Sequence, residues 1–295
     1  MSGIVIDSPL RRAAADFAAS RLALAGLAVL ILVIIVAIGA PLISPQNPYN
    51  LAELDILDSK LAPGGEGLDG MTFWLGSDDQ GRDMLSAIFY GLRISLGVGA
   101  VSTLAALAIG LTVGLTAAWF GGWIDTAIMR LVDIQLSFPA ILIALILLVV
   151  LGQGVDKIVI ALITVQWAYY ARTVRGVALV ERNKEYIEAA VCLALPAHRI
   201  LFRHLLPNCL PPLIVIATVQ VAHAIALEAT LSFLGLGMPI TSPSLGLLIA
   251  NGFTYLMSGK YWISFFPGVA LLITIVSINL VGDQLRDVLN PRLRK

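Results

Sequence analysis

Six stretches of this 295-residue chain are apolar over the length needed to cross a bilayer, and no other property restricts the fold as severely. A transmembrane helix needs about 20 predominantly apolar residues, with a range of roughly 17 to 25, to cover the hydrocarbon. The stretches are Leu22 to Ala40, Leu96 to Phe120, Ile134 to Leu151, Ile158 to Val174, Leu213 to Phe233 and Trp262 to Val281. The fourth is the most polar, because it holds Gln166, Trp167, Tyr169 and Tyr170 and ends on Arg172 and Arg175, rings and charges suited to a headgroup boundary. The expected fold class is an all-α membrane protein with six transmembrane helices.

Composition agrees. The chain is 58% hydrophobic and 13% charged, whereas an average soluble domain carries about a quarter charged residues. Its formal net charge is zero, without the clustered basic excess of a nucleic-acid binder. Positively charged short loops stay on the cytoplasmic side. Placing the N-terminus inside puts 14 of the 19 lysines and arginines there, among them Arg11, Arg12, Arg130, Arg182, Lys184, Arg199, Arg203, Arg292, Arg294 and Lys295. Both termini and the 182–208 loop are therefore predicted to be cytoplasmic. The segment from Pro41 to Tyr90 lies outside and is rich in acid, including Glu53, Asp55, Asp58, Asp78, Asp79 and Asp83.

The first apolar run follows basic residues, as in a signal peptide, but a cut after Ala40 would precede Pro41, so an uncleaved first span is expected. Cys192 and Cys209 fall on the reducing side without zinc-ligand spacing, which predicts free thiols and no metal site. In the outer segment, Trp74 to Leu96 reads as a turn, then an amphipathic helix from about Arg82, then the second span; the alternative is a solvated acidic loop. Gly110 and Gly114 have the spacing that lets membrane helices approach closely.

One loop departs from the apolar background. Tyr186 to Asn208, YIEAAVCLALPAHRILFRHLLPN, is polar and helix-forming. Lys184 to Ala194 favours a helix with an open face at Ala189 and Ala190. Pro196 disfavours helical geometry at Leu195 and suits the first turn of a second short helix through His198 to Leu205, set at an angle to the first. Such a helix can lie in a partner's groove, where a basic group would pair with Glu188. The alternative is a connection packed under the bundle.

Glu188-Ala189-Ala190, followed by Leu206-Pro207, resembles the EAA signature of the permease subunits of ATP-binding-cassette importers. Two positions differ from that signature, with Ala194 in the glycine place and His204 in the isoleucine place. FRHLLPN (Phe202 to Asn208) is similar to the phrase of the peptide-importer branch. LGSDDQGRDMLS, YGLRISL, DIQLSFP, EATLSFLGLG and GDQLRDVLNPRLR extend the resemblance over nearly the whole chain, to the C-type subunit of dipeptide, oligopeptide and nickel permeases.

The resemblance implies a type I importer permease fold in a bacterial inner membrane. It divides the chain into an N-terminal segment, 1–90, and a five-helix core, 91–295, with a coupling loop at 182–208. It further implies a sister permease, two ATPase subunits, an extracytoplasmic solute-binding protein, and Glu188, Ala189, Ala190, Ala194, Pro196, His204, Leu206 and Pro207 as coupling residues. The solute would be a peptide, with nickel chelates, glutathione or another small solute as alternatives. This chain is expected to bind no cofactor and to have no catalytic residue. A phosphate loop GxxxxGK[ST] would be needed for ATP hydrolysis, but at its nearest approach, Gly259-Lys260, Thr254 and Tyr261 occupy the places of the first glycine and the Ser or Thr. ATP and Mg would then bind on the partners.

Polar groups inside spans are costly and mark function or interhelical hydrogen bonds. Gln166, Gln220, His223, Glu228 and Asn279 are the candidates for the translocation path. Pro139, Pro211, Pro212, Gly235 and Gly237 are candidate bends or ordinary helix ends. A secondary transporter would favour inverted repeats or midplane carboxylate pairs, and an intramembrane enzyme a nucleophile with its base. His223, the only spanning histidine, has no evident partner for such chemistry.

Overall fold

A computed structural model describes residues 9–242 and 244–289. Arg292, Arg294, Lys295 and the end of the last motif lie outside the described residues. Every apolar run but the third falls within a single helix, and the helices of the first two begin where the sequence supplies caps. After α1 (Pro9–Ala18), α2 (Arg21–Ile43) starts at Ser20, whose hydroxyl accepts the Ala23 N–H at 3.3 Å. α3 (Met84–Phe120) starts at Asp83, which accepts the Ser86 N–H at 2.8 Å, and stops at Gly121 with φ 63°. At 37 residues, α3 is about 55 Å long and outruns the hydrocarbon at one or both ends.

The third run is not one straight span. It divides into α4 (Gly122–Ser137) and α5 (Ala140–Leu151), bent by 88°. Pro139 has no N–H to donate and holds Phe138 extended, at φ −94° and ψ 141°. α6 (Val155–Arg182) follows, then α7 (Glu185–Cys192). α8 (Ala197–Ile200) runs through a π turn, Leu201–Leu205, into α9 (Leu206–Phe233), so that Ala197–Phe233 is one 37-residue helix. The second short helix expected in the polar loop is thus the first part of the next span. Pro211 and Pro212 sit within α9 without ending it, while Gly235 and Gly237 lie beyond its end. α10 (Leu245–Phe253) and α11 (Trp262–Leu289) complete the bundle.

Four helices, α2, α3, Ala197–Phe233 and α11, are each long and apolar enough to cross a membrane, and α4 with α5 adds a fifth if the bent pair is one span. α6 is 28 residues long but less apolar. It tolerates polar groups because it lies inside the bundle, with Leu162, Ala168, Tyr170, Ala171 and Val174 fully buried. α3 lies directly against it. A Cβ at Gly110 would fall 2.7 Å from the Trp167 carbonyl oxygen, and one at Gly114 2.6 Å from that of Ala171. The two glycines thus permit backbone contact that no larger residue allows.

The segment before α3 is folded onto one end of the bundle. It contains a short antiparallel hairpin, β1 (Gly65–Glu66) and β2 (Thr72–Phe73), the described exception to an all-helical chain. The loop Leu75 to Asp83 is no solvated acidic turn: Ser77, Asp78, Arg82 and Asp83 are buried. Arg82 donates to the Ile240 carbonyl at 2.6 Å and to Gln80, and Trp262 Nε1 donates to the Ser77 carbonyl at 3.2 Å. Burial pushes the Asp78 carboxyl up to about 6 despite Arg82 beside it. The helix expected from about Arg82 begins at Met84, and Arg82 itself is a clamp between this segment and the α9–α10 connection.

Candidate functional site

The polar loop sits at the other end of the bundle, where the described chain ends also lie: Gln284 of α11 donates to the Asp16 carbonyl of α1 at 3.3 Å. α7 has acidic residues in its first turn, Glu185 and Glu188, where the helix dipole favours negative charge. Its inward face is small and apolar. Ile187 and Ala190, 2% and 3% exposed, enter one core with Leu115 and Ala118 of α3, Val174 and Ala178 of α6, Ile200 and Leu213. Its outward face presents Glu188 and Ala189 beside Val191 and Leu193, 55% and 74% exposed. The EAA triplet is therefore divided, with Glu188 and Ala189 outside and Ala190 inside.

α7 ends in a paired turn. The Leu195 N–H donates to the Ala190 carbonyl at 3.2 Å and the Ala194 N–H to that of Val191 at 2.9 Å. Ala194 closes this turn with φ 51°, the left-handed region that favours glycine. The position where the signature has glycine thus adopts a glycine-like conformation, with an alanine. Pro196 does a separate job: it caps α8, its carbonyl accepting the Arg199 N–H at 2.9 Å. His204 lies half-buried in the π turn, its carbonyl accepting Asn208 Nδ2 at 2.7 Å. Leu206 is half-buried, and Pro207 is exposed in the first turn of α9, where its missing N–H is tolerated.

Four residues outside the set of coupling candidates, Glu181, Arg182, Lys184 and Tyr186, fix this loop to the bundle. Glu181 of α6 accepts from Lys184 Nζ at 2.6 Å and from the Tyr186 hydroxyl at 2.8 Å. Burial first, and then the bond to Glu181, push the Tyr186 phenol up to about 12, which keeps it a donor. Arg182 donates to the Ala118 carbonyl at 2.8 Å and lies over the Trp119 ring, joining the ends of α3 and α6. Their ordinary composition gave no signal; their only mark is adjacency to the motif.

The polar residues of the spans separate into two groups. Gln166 and Glu228 are buried in helix seams. Thr103 of α3 donates to Gln166 Oε1 at 3.4 Å, and Ser95 of α3 and Ser232 of α9 donate to Glu228 at 2.8 Å each. Gln220, by contrast, lines a pocket of about 580 Å³ between α6, α9 and α11, with Tyr169, Val215, Val219 and Arg286. His223 is exposed one turn further along α9 on the same face. Asn279 is half-buried on α11, seven residues before Arg286 and hence on its face.

A sequence profile described as "Binding-protein-dependent transport system inner membrane component" matches residues 110–295, and one described as "N-terminal TM domain of oligopeptide transport permease C" matches residues 8–63. The dipeptide transport system permease protein DppC of Alkalihalophilus pseudofirmus is 36% identical over 287 residues, 97% of this chain and 91% of that protein. The oligopeptide transport system permease protein OppC of Bacillus subtilis is 37% identical over 279 residues, 95% and 88% of the two chains. Among solved structures, an inward-facing form of the MetNI methionine ABC transporter matches with TM-score 0.57 at 25% identity, over 70% of this chain and 97% of that one.

Proposed function

This chain belongs to the family of binding-protein-dependent transport system inner membrane components, and from that premise we propose that it is a permease subunit of an ATP-driven importer of peptides. The dipeptide and oligopeptide permeases among its relatives support the substrate class. On this reading an extracytoplasmic binding protein delivers the peptide to a mouth formed with a sister permease. Two ATPase subunits bind ATP and Mg at the loop end, which is the cytoplasmic end. Residues 1–90 are the outer and anchoring part, and 91–295 the permease core.

The observation that carries the coupling role is the division of α7. Glu188 and Ala189 are open to a partner, while Ile187 and Ala190 are rooted in the core shared by α3, α6 and α9. A displacement of α7 by an ATPase cannot leave those helices in place, because close-packed side chains have no room to absorb it. Glu181 and Arg182 pass the same displacement to the ends of α6 and α3. The break at Pro139 and the prolines of α9 give the bundle places to bend between two packings. Gln220 and His223 are the path residues best placed for solute, whereas Gln166 and Glu228 are placed to tie helices.

Reversing the charge at Glu188 tests the docking. Glu188→Arg is expected to lower both co-purified ATPase and binding-protein-dependent peptide uptake by on the order of tenfold or more, the loss of about 1.4 kcal/mol. Equal ATPase recovery and equal uptake in variant and parent would remove Glu188 from the interface.

A further inference from the structure

The pocket between α6, α9 and α11 carries one charge, that of the exposed Arg286, which pairs with no other described residue. Arg286 lines it from the last turns of α11 and makes no hydrogen bond or ion pair among the described residues, although Asp283 and Asp287 are its near neighbours in sequence. Gln220 reaches the same pocket from α9 and Tyr169 from α6, and the walls between them are Val215 and Val219. Three polar groups with donor N–H or O–H thus converge from three helices on an apolar-walled space. Its volume, about 580 Å³, lies within the roughly 300–1,000 Å³ of small-ligand sites.

A guanidinium in this setting selects an oxyanion, since its planar fork matches a carboxylate or phosphate with two parallel hydrogen bonds. Two sources could supply one at the loop end: a lipid headgroup or the terminus of a peptide. The polar line continues from Arg286 through Gln220 to His223, deeper along α9. A face turned to acyl chains would not carry glutamine and histidine that far. We infer that this pocket binds the C-terminal carboxylate of a peptide on the loop side of the membrane, with Arg286 holding the carboxylate and Gln220 and Tyr169 bonding to the adjoining backbone. The assignment rests on the peptide-importer reading above. It gives the importer a site at which internal peptide engages the permease without the binding protein.

The test uses the whole importer, this chain with its sister permease and ATPases, in phosphatidylcholine nanodiscs without binding protein. Binding of radiolabelled Leu-Phe is compared with that of its C-terminal amide. The free acid is expected to bind at least tenfold more tightly. Arg286→Gln should abolish that preference, Arg286→Lys should keep part of it, and Gln220→Ala should weaken both ligands. Equal binding of acid and amide by the parent, or an undiminished preference in Arg286→Gln, would overturn the assignment. So would loss of acid binding on adding phosphatidylglycerol, with Arg286-dependent retention of that lipid in native mass spectra, which would make the ligand a lipid phosphate. Binding-protein-dependent Leu-Phe uptake by the same complex is measured in parallel. Uptake without acid preference removes this site alone, whereas absence of uptake bears on the transport reading and leaves the binding result to decide the site.

Discussion

At Ala194 the backbone adopts a conformation that its side chain opposes. A left-handed residue with a Cβ costs roughly 1–2 kcal/mol relative to one without, and Ala194 sits at φ 51° because two turn hydrogen bonds and the buried Ala190 hold it there. Ala194→Gly is therefore expected to stabilise the loop by about 1 kcal/mol, visible as slower hydrogen exchange at the Ala194 and Leu195 amides. Ala194→Val should speed exchange there. Unchanged exchange in both variants would mean the turn is not strained. The departure from the EAA signature was legible in the sequence, but its consequence was not. Pro196 offered itself as a substitute bend, and only the backbone angles separate its capping role from the turn at Ala194.

Elements show where linear reading succeeds and where it stops. Length and hydropathy located every long helix, since crossing hydrocarbon leaves few alternatives. The Pro139 break was legible as one of several candidate bends, yet the 88° angle between α4 and α5 depends on what those helices pack against. The Gly110 and Gly114 pair gave a weak signal in a chain with 26 glycines, and contact with α6 gives it meaning. The acidic look of the loop before α3 concealed a folded clamp, because its partners Ile240 and Trp262 are 158 and 185 residues away. That clamp carries a pH signature. Asp78 titrates near 6 when folded, above its ordinary 3.8. The folded state thus holds the proton more tightly, so stability is greatest below about pH 4 and falls as pH rises towards 6. The integrated loss is on the order of 3 kcal/mol at most. The protection factors of residues 60–83, with the intrinsic pH dependence of amide exchange divided out, should fall over that window and level off above it. Asp78→Asn should remove the dependence, and a persistent slope in that variant would assign it elsewhere.

At the scale of the whole molecule, two ends are joined through a packed bundle. The end that carries the segment before α3 is clamped by Arg82, the loop end by Arg182 and by the buried side of α7, and α3 and α6 run between them in backbone contact. The pocket of Tyr169, Gln220 and Arg286 was only partly legible, since Gln220 was singled out but its companions lie 51 and 66 residues away on other helices. The central claim is that the outward face of α7 receives an ATPase while its inward face is closed to any partner. Cysteine crosslinking in the assembled importer tests it most directly. In a Cys192→Ser background, Ala189→Cys should crosslink to an ATPase subunit in high yield, and Ala190→Cys, one residue on but buried, should give little or none. Absence of a crosslink at 189, or equal yields at 189 and 190, would contradict the account.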